Sequence, residues 1–481
     1  MLAILKDSVF FINIVFALIV LFLERKRPMY TLFWITLLLL TSYLGFLAYL
    51  FFGLKFYKRR KVKKFYSRTF FKELYKSDNY KVKLVEKRNQ LTNYISTTIG
   101  NKVTYYNTVC FFKEGNSFFQ EMLKDIENAK ETINMEYYIF SDDELGGKFY
   151  DLLEKKSKEG VKIKIIVDGI GTRKLKRARK KSLKESGVEL KVFFPSNFPL
   201  IKIGNIRANY RDHRKICVID SLIAYTGGFN IGDEYIGNSD FGKWRDTGAR
   251  IEGEASVDIE REFYIMWSFL QKKHLDYVET DRVLRKKVDI IYENFKKYDV
   301  NAVQLISSGP NYENRTIRDS YIKMIMEAKR SIYIESPYFV PDDLLLDCLR
   351  IALASGIEVK IVIPDKPDHP FVYWANQNFS IELFERGAEI YKYNGGFLHS
   401  KMLIIDNEIA SFGSSNFDYR SLYQNFEINY MIYDIELIGY LRQLFFEDLS
   451  NSEAITKMMV KERGIIEKVK ESVSRLMSPI I

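Results

Sequence analysis

Two short stretches of the chain repeat the same set of chemically active residues. Residues 209–230 read NYRDHRKICVIDSLIAYTGGFN, and residues 395–416 read GGFLHSKMLIIDNEIASFGSSN. In both, a lysine follows a histidine by two positions, an aspartate follows the lysine by five, and an asparagine follows the aspartate by ten. Two copies with one spacing, in a chain of four histidines, indicate a shared function. The candidate catalytic residues are His213, Lys215, Asp220, His399, Lys401 and Asp406.

These residue types suit chemistry at phosphorus. One imidazole can attack phosphorus, and a second can protonate the leaving oxygen. Ammonium groups and amides can stabilise charge on the non-bridging oxygens, which makes Asn230, Asn416 and Ser414 candidate phosphate-binding residues. No metal site is predicted, because lysine is a poor ligand and the chain has neither an HExxH motif nor paired CxxC motifs. No cofactor is expected.

The apolar runs that follow the two lysines predict buried strands. ICVI follows Lys215 and MLII follows Lys401, and both are rich in branched side chains. Residues two apart on a strand share a face, so each lysine should point the same way as its histidine. Asp220 and Asp406 lie at an odd offset and are interpreted as turn or structural carboxylates. The glycines near the end of each motif are expected to let backbone approach a ligand closely.

With these motifs the chain resembles the phospholipase D superfamily and, within it, the bacterial cardiolipin synthases. The resemblance covers nearly the whole chain. Besides the two motifs it rests on the segments NIGDEYIG…GKWRDTGARIEG (residues 230–253), NFDYRSLYQNFEIN (416–429), SSGP (307–310) and ESPYFVPDD (335–343).

The resemblance implies a bilobed α/β fold of two homologous halves with one site where they meet. It implies a phosphohistidine intermediate and suggests His213 as the nucleophile, although the residues themselves do not distinguish the two histidines. It also implies an acidic residue that orients each imidazole. Glu427 matches that pattern, and Asp246 is the counterpart displaced by an insertion in the first copy.

The implied reaction joins two phosphatidylglycerol molecules into cardiolipin and releases glycerol. Another phosphatidyltransferase, a lipid hydrolase and a nuclease on the same fold remain alternatives. A nuclease needs no membrane spans, and few aromatic–basic platforms of the kind that bind single strands are evident. We therefore expect phosphatidylglycerol and anionic membrane lipid as partners, and no nucleic acid. The oligomeric state is left open.

The N-terminus predicts a transmembrane hairpin with helices at about residues 8–23 and 29–54. Seven of the ten residues 55–64 are basic, and the net charge of the chain is +11. Basic residues after a span mark its cytoplasmic end and attract anionic lipid. The prediction is a multi-pass protein of the bacterial plasma membrane with its catalytic lobes in the cytoplasm.

Beyond the hairpin, alternating helical and strand patterns predict an α/β fold. AKETINME (residues 129–136) aligns with AKRSIYIE (residues 328–335), which indicates an internal repeat. The predicted domains are a hairpin (1–55), a basic juxtamembrane linker (56–110), a first half (111–295) and a second half with a C-terminal helix (296–481). Residues 452–477 have a helical period, and their apolar end is expected to contact either the lobes or the membrane.

Overall fold

A computed structural model describes residues 11–18, 21, 28–48, 83–194, 210–239, 242–271, 277–295, 301–366 and 368–478. The chain forms two compact units. One comprises Met1–Arg68 with Ser196–Tyr210, and the other comprises Thr69–Pro195 with Arg211–Ile481.

In the smaller unit, residues 11–18 and Pro28–Ala48 are helical. Within the described residues, no helix combines the length and the apolar character needed to cross a membrane. The predicted spans, residues 8–23 and 29–54, lie partly outside the described residues, and the basic run at residues 55–64 lies wholly outside them.

The larger unit contains two sheets of matching strand order. The first sheet has seven strands, in the spatial order Asn107–Phe112, Gly248–Gly253, Ile223–Gly227, Lys215–Ile219, Thr132–Tyr137, Lys162–Asp168 and Glu189–Phe193. The second has eight, in the order Val303–Ser308, Glu427–Ile432, Ile409–Gly413, Met402–Ile405, Ser331–Glu335, Glu358–Pro364, Glu389–Tyr393 and Ser452–Ala454. In both, the pairings are antiparallel as far as the fifth strand, and the next two are parallel. The predicted fold of two homologous α/β halves is thereby confirmed.

The helices lie between these strands in the chain. Those of the first half are Gly115–Asn128, Glu144–Lys158, Arg177–Glu185, Glu254–Gln271 and Tyr277–Phe295, with a short 3-10 helix at Asp233–Ile236. Those around the second half are Lys83–Lys87, Asn89–Ile99, Thr316–Met326, Asp343–Ala354, Pro370–Phe384, Tyr419–Tyr423, Ile435–Ser450, Lys457–Glu462 and Ile465–Leu476. Side-chain caps define where several begin, as where Asp143 and Asp342 accept backbone amides of the first turn.

The two sheets face each other across a shared apolar core. Along Lys215–Ile219, Ile216 and Val218 lie in the core between the sheets, whereas Cys217 and Ile219 lie in the core beneath the helices. The second half contributes Ile404 to the shared core in the same alternation. The period of two in a strand thus fills both faces with apolar side chains, which explains why both motif strands are continuously hydrophobic.

Two details differ from the sequence-based expectations. Residues 452–477 begin with a short strand, Ser452–Ala454, because this segment pairs with the edge strand Glu389–Tyr393 before the helices start. The predicted helical period applies only from Lys457 onward. The strands predicted at ICVI and MLII are confirmed.

Candidate active site

The two motif histidines are held by backbone bonds that cross from one half to the other. His213 lies just before its strand, and its amide donates to the carbonyl of Phe426 at 3.0 Å. The amide of His399 donates to the carbonyl of Arg245 at 2.7 Å. Short strand pairings surround both bonds, since residue 212 bridges to 426 and Phe397–Leu398 pairs with Trp244–Arg245. Each histidine is therefore positioned by the opposite half.

The predicted carboxylates follow the same crossed arrangement. His399 Nδ1 lies 2.6 Å from Asp246 Oδ2, and His213 Nδ1 lies 3.0 Å from Glu427 Oε1. The two carboxylates occupy equivalent places. Asp246 lies two residues before Gly248, which pairs with Gly227, and Glu427 lies two residues before Asn429, which pairs with Gly413. A carboxylate on Nδ1 favours the tautomer protonated there and leaves Nε2 with its lone pair.

Different groups orient the two carboxylates. Ser414 Oγ donates to Glu427 at 2.5 Å, whereas the backbone amide of Thr247 donates to Asp246 at 2.7 Å. Gly228 is the counterpart of Ser414, and a Cβ there would lie 1.9 Å from the Asp246 carboxylate. Ser414, predicted to bind phosphate, thus contacts the carboxylate that orients His213, and Gly228 makes room for Asp246. The phosphate-binding role of Ser414 stays a prediction.

Both motif lysines are buried directly behind the histidines. Lys215 Nζ donates to the carbonyl of His213 at 2.7 Å. Lys401 Nζ lies 2.7 Å from His399 Nδ1 and 3.7 Å from Asp246 Oδ2. Each lysine thus points the same way as its histidine, as its offset of two predicts.

Burial controls the charge of these groups. It lowers the pKa of Lys215 to about 7 and that of Lys401 to about 8. Burial, reinforced by the Lys401 ammonium, lowers the pKa of His399 to about 3, so this imidazole is neutral in the free protein. Burial alone would raise the pKa of Asp246 and Glu427, but nearby cations reverse the effect and hold both below their usual range. For Asp246 the largest lowering effect comes from the Lys401 ammonium, and for Glu427 it comes from the contact with His213, with the Lys215 ammonium next.

Both imidazoles line one cavity of about 310 Å³ between the halves. Among the predicted phosphate-binding residues, Asn230 and Asn416 also line it. Asn230 accepts from the Ile139 amide at 3.2 Å, and the Asn416 amide donates to Asp418 at 3.1 Å. The remaining lining residues are Tyr138, Ile139, Arg211, Tyr235, Trp244, Tyr338, Val340, Asp368, His369, Val372, Asp418, Arg420 and Asn425.

The motif aspartates do not line this cavity. Asp220 accepts three backbone amides, those of residues 130, 131 and 132, each at 2.8 Å. Asp406 accepts the amides of residues 329, 330 and 331 at 2.7–2.9 Å. Both have positive φ, 52° and 57°, in the turn that reverses each motif strand. Their geometry is that of turn carboxylates, and their inclusion among the catalytic residues stays a prediction.

Sequence reasoning missed an aromatic wall beside the histidines. The ring of Tyr138 lies 5.2 Å from that of His213, and Trp244 lies 5.1 Å from His399. Tyr235 also contacts His399 and forms a hydrogen bond with the Asn230 amide. Trp244 lies two positions before Asp246, and this closeness to a predicted site residue is the sequence signal that could have identified it. Rings at these places help to exclude water from a reacting phosphate.

Sequence reasoning also missed two buried arginines beneath the histidines. Arg214 pairs with Glu136 at 2.6 Å in the first half, and Arg245 pairs with Asp448 at 2.6 Å. Both pairs are almost fully buried, so removing either arginine would leave a buried carboxylate without this cation. Across the described residues, no group of three or more histidine, cysteine, aspartate or glutamate side chains could hold a metal ion.

Comparison with known proteins shows the family and the fold of this chain. The family described as cardiolipin synthase, PLD-like domain, matches residues 122–267 and 321–449, together more than half of the chain. A second family, phospholipase D-nuclease N-terminal, matches residues 11–53. The crystal structure of phosphatidylserine synthase from Haemophilus influenzae has the same fold, with a TM-score of 0.60 at 15% identity, over 82% of this chain and all of that one.

Similarity to curated proteins extends over the whole sequence. A cardiolipin synthase of Oceanobacillus iheyensis is 40% identical over 100% of this chain and 99% of its own length. The major cardiolipin synthase of Bacillus subtilis is also 40% identical, with the same coverage, and a Listeria monocytogenes cardiolipin synthase is 38% identical over both full lengths. The chain therefore belongs to the cardiolipin synthase family, phosphatidyltransferases of the phospholipase D superfamily.

Proposed function

We propose that this chain transfers a phosphatidyl group from one phosphatidylglycerol to the headgroup hydroxyl of a second, which yields cardiolipin and glycerol. The observation that carries the proposal is the pair of crossed histidine–carboxylate contacts, which place two imidazoles in one cavity. The buried lysines behind them can offset phosphate charge at a site that excludes much of the solvent.

In the first step, His213 Nε2 attacks the phosphorus of one phosphatidylglycerol. The bond from phosphorus to the headgroup glycerol oxygen breaks, and His399 donates a proton to that oxygen as glycerol leaves. In the second step, the headgroup hydroxyl of another phosphatidylglycerol attacks the phosphorus and His399 takes its proton. The bond from phosphorus to His213 Nε2 breaks, which releases cardiolipin and the free imidazole. Glu427 and Asp246 keep each reacting nitrogen in the required tautomer.

The low pKa of His399 gives substrate binding a role in protonation. In the free site this imidazole is neutral because it is buried next to an ammonium group. An anionic phosphodiester in the cavity offsets the ammonium charge and raises the pKa of His399, so it can carry the proton that the leaving glycerol needs. The acid is thus produced when lipid is bound.

Product analysis tests the acceptor. Purified protein with phosphatidylglycerol as its only lipid should form cardiolipin and glycerol in equal amounts, because the phosphohistidine is resolved by a second lipid. One phosphodiester replaces another, so the reaction is near energy-neutral, and added glycerol should convert cardiolipin back to phosphatidylglycerol. Thin-layer chromatography of labelled lipid measures both directions.

A lipid hydrolase would give a different result in this assay. It would release mainly phosphatidic acid, and glycerol would not restore phosphatidylglycerol from cardiolipin. That outcome would refute the synthase proposal while leaving the two-histidine chemistry intact.

The pH dependence of the reaction should report the two buried lysines. A lysine whose pKa is lowered is charged below that pKa and loses its charge as the pH rises through it. With pKa values of about 7 for Lys215 and about 8 for Lys401, kcat/KM should fall between pH 6.5 and 9. We expect a loss of about tenfold or more, since the charged fraction drops tenfold for each pH unit above the pKa.

The fall in kcat should occur at higher pH than the fall in kcat/KM, because a bound phosphate stabilises the ammonium form. Lys215→Arg is the matched control: its guanidinium stays charged, so the remaining fall should follow Lys401 alone. A wild-type kcat/KM that stays constant up to pH 9, measured in detergent micelles, would contradict the role given to the lysines.

We further propose that the N-terminal segment anchors the chain in the bacterial plasma membrane as a two-span hairpin, with the catalytic lobes in the cytoplasm. The apolar residues 29–54 and the basic run at residues 55–64 support this proposal. A reporter that is active only in the cytoplasm, fused after Ile481, should be active. Activity only of a reporter that requires export would show the reverse orientation, and release of the chain into the soluble fraction would refute the anchor.

A further inference from the structure

The C-terminal helix, Ile465–Leu476, presents its apolar side to the outside of the protein. Five apolar side chains lie within about 100° of one another around the helix axis. All five are between 47% and 82% exposed. They are Ile465, Ile466, Val469, Val473 and Leu476. We call this set the apolar stripe.

The opposite, polar side of the helix packs on helix Pro370–Phe384. Glu471 and Ser474 are buried, and Glu471 pairs with Arg463 at 2.7 Å. Arg475 reaches across to Glu382 at 2.7 Å and to Asn378 at 2.8 Å. A surface helix ordinarily buries its apolar stripe against the core. Here the ion pairs hold the helix in the reverse orientation, so the stripe is available for another apolar phase.

The apolar stripe is connected to the active-site cavity through the helix that supports it. Its supporting helix, Pro370–Phe384, starts directly after His369, and His369 and Val372 both line the cavity. Phe371, between them, is 53% exposed. One helix therefore connects the cavity wall to the element that carries the stripe.

Charges around the apolar stripe select the kind of surface that can cover it. Four exposed lysines, Lys457, Lys461, Lys468 and Lys470, lie on this helix and on the short helix before it, against two exposed glutamates, Glu462 and Glu467. Long lysine side chains can extend from an apolar surface to phosphate groups at its edge. A second copy of this surface would bring together two surfaces with an excess of positive charge, whereas an anionic lipid surface pairs with that excess.

We infer that helix Ile465–Leu476 inserts its apolar stripe into the surface of an anionic membrane and holds the cavity mouth against the lipid headgroups. The inference rests on the proposed function, because the purpose it gives the helix is to deliver a membrane lipid to the histidines. The inference predicts that the helix lies within the bilayer surface, and its depth can be measured whether or not the chain makes cardiolipin.

Depth is tested with a fluorescent label on the full-length chain. Cys110 is exposed and is replaced by serine, while Cys217 and Cys348 are buried. A polarity-sensitive dye is then placed at Val469→Cys, with Lys124→Cys on helix Gly115–Asn128 of the other half as the matched control. In vesicles of phosphatidylglycerol brominated on the acyl chains, the dye at position 469 should shift to the blue and be quenched, and the dye at position 124 should not.

Two results of the labelling experiment would overturn the inference. The dye at position 469 could behave like that at position 124, which means that the stripe stays in water. Alternatively, it could be shielded without lipid to a degree that grows with protein concentration, which means that a second copy covers the stripe.

Activity provides an independent measurement. Ile466→Asn with Val469→Asn should lower the rate of the full-length chain reconstituted in phosphatidylglycerol vesicles by about tenfold or more, because the helix no longer holds the cavity mouth against the headgroups. The rate on short-chain phosphatidylglycerol dispersed as monomers should be unchanged. Ile290→Asn, an equally exposed apolar position on helix Tyr277–Phe295, should leave both rates unchanged. Equal losses on vesicles and monomers would mean that the helix only supports the fold and would overturn the inference.

Discussion

His213→Ala and His399→Ala should each lower the turnover of cardiolipin synthesis by at least about 10²–10⁴-fold, the range expected when a general acid or base is lost. The two imidazoles line one cavity, and each is oriented by a buried carboxylate of the other half. Neither can substitute for the other, since one imidazole must bond to phosphorus while another transfers the proton. The measurement is the initial rate of purified protein on phosphatidylglycerol in micelles.

His369→Ala is the matched control for these substitutions. His369 lines the same cavity, but its side chain is 69% exposed and lies 3.9 Å from the nearest carboxylate oxygen of Asp368. Its loss should cost far less than the loss of either motif histidine. Near-normal turnover in either motif variant would exclude the two-histidine mechanism.

The same variants distinguish the roles of the two histidines. If His213 is the nucleophile, the His399→Ala protein should accumulate a phosphatidyl group on His213 from a substrate whose leaving group needs no acid. The His213→Ala protein should accumulate none. Peptide mass analysis under alkaline conditions, where phosphohistidine survives, locates the modification. Covalent lipid on His399 of the His213→Ala protein would instead identify His399 as the nucleophile. The low pKa of His399 in the free site would then keep it neutral for attack.

Much of this site could be predicted because it depends on local spacing. The offset of two residues predicted that each lysine shares a direction with its histidine, and the branched runs predicted the strands that follow. The alignment of AKETINME with AKRSIYIE indicated an internal repeat, and the resemblance implied a fold of two homologous halves. These inferences hold because a strand fixes side-chain directions through its period alone, without reference to distant parts of the chain.

The crossed contacts could not be predicted, since they depend on how the halves dock. Asp246 lies 33 positions after His213 and 153 positions before His399, yet it contacts His399. Nothing in the spacing favours the more distant partner. The outward-facing apolar stripe of the C-terminal helix was equally inaccessible, because helical periodicity predicts an apolar side but not the surface that it contacts.

The second large effect expected concerns these crossed carboxylates. Asp246→Asn and Glu427→Gln should each lower kcat by about 10²-fold or more, because an amide can favour the wrong imidazole tautomer without changing shape. Glu427 Oε1 lies 3.0 Å from His213 Nδ1, and Asp246 Oδ2 lies 2.6 Å from His399 Nδ1. An unchanged melting temperature in each variant would separate this electronic effect from loss of fold.

A covalent labelling experiment can show which carboxylate serves which histidine. In the His399→Ala protein, a phosphatidyl ester of p-nitrophenol should still react with His213, because this leaving group needs no proton. Adding Glu427→Gln should slow that labelling by about 10²-fold, since Glu427 orients His213. Adding Asp246→Asn should change it little, because its partner imidazole is already absent. The opposite pattern would mean that each carboxylate serves the histidine of its own half, and the crossed arrangement would then have no catalytic role.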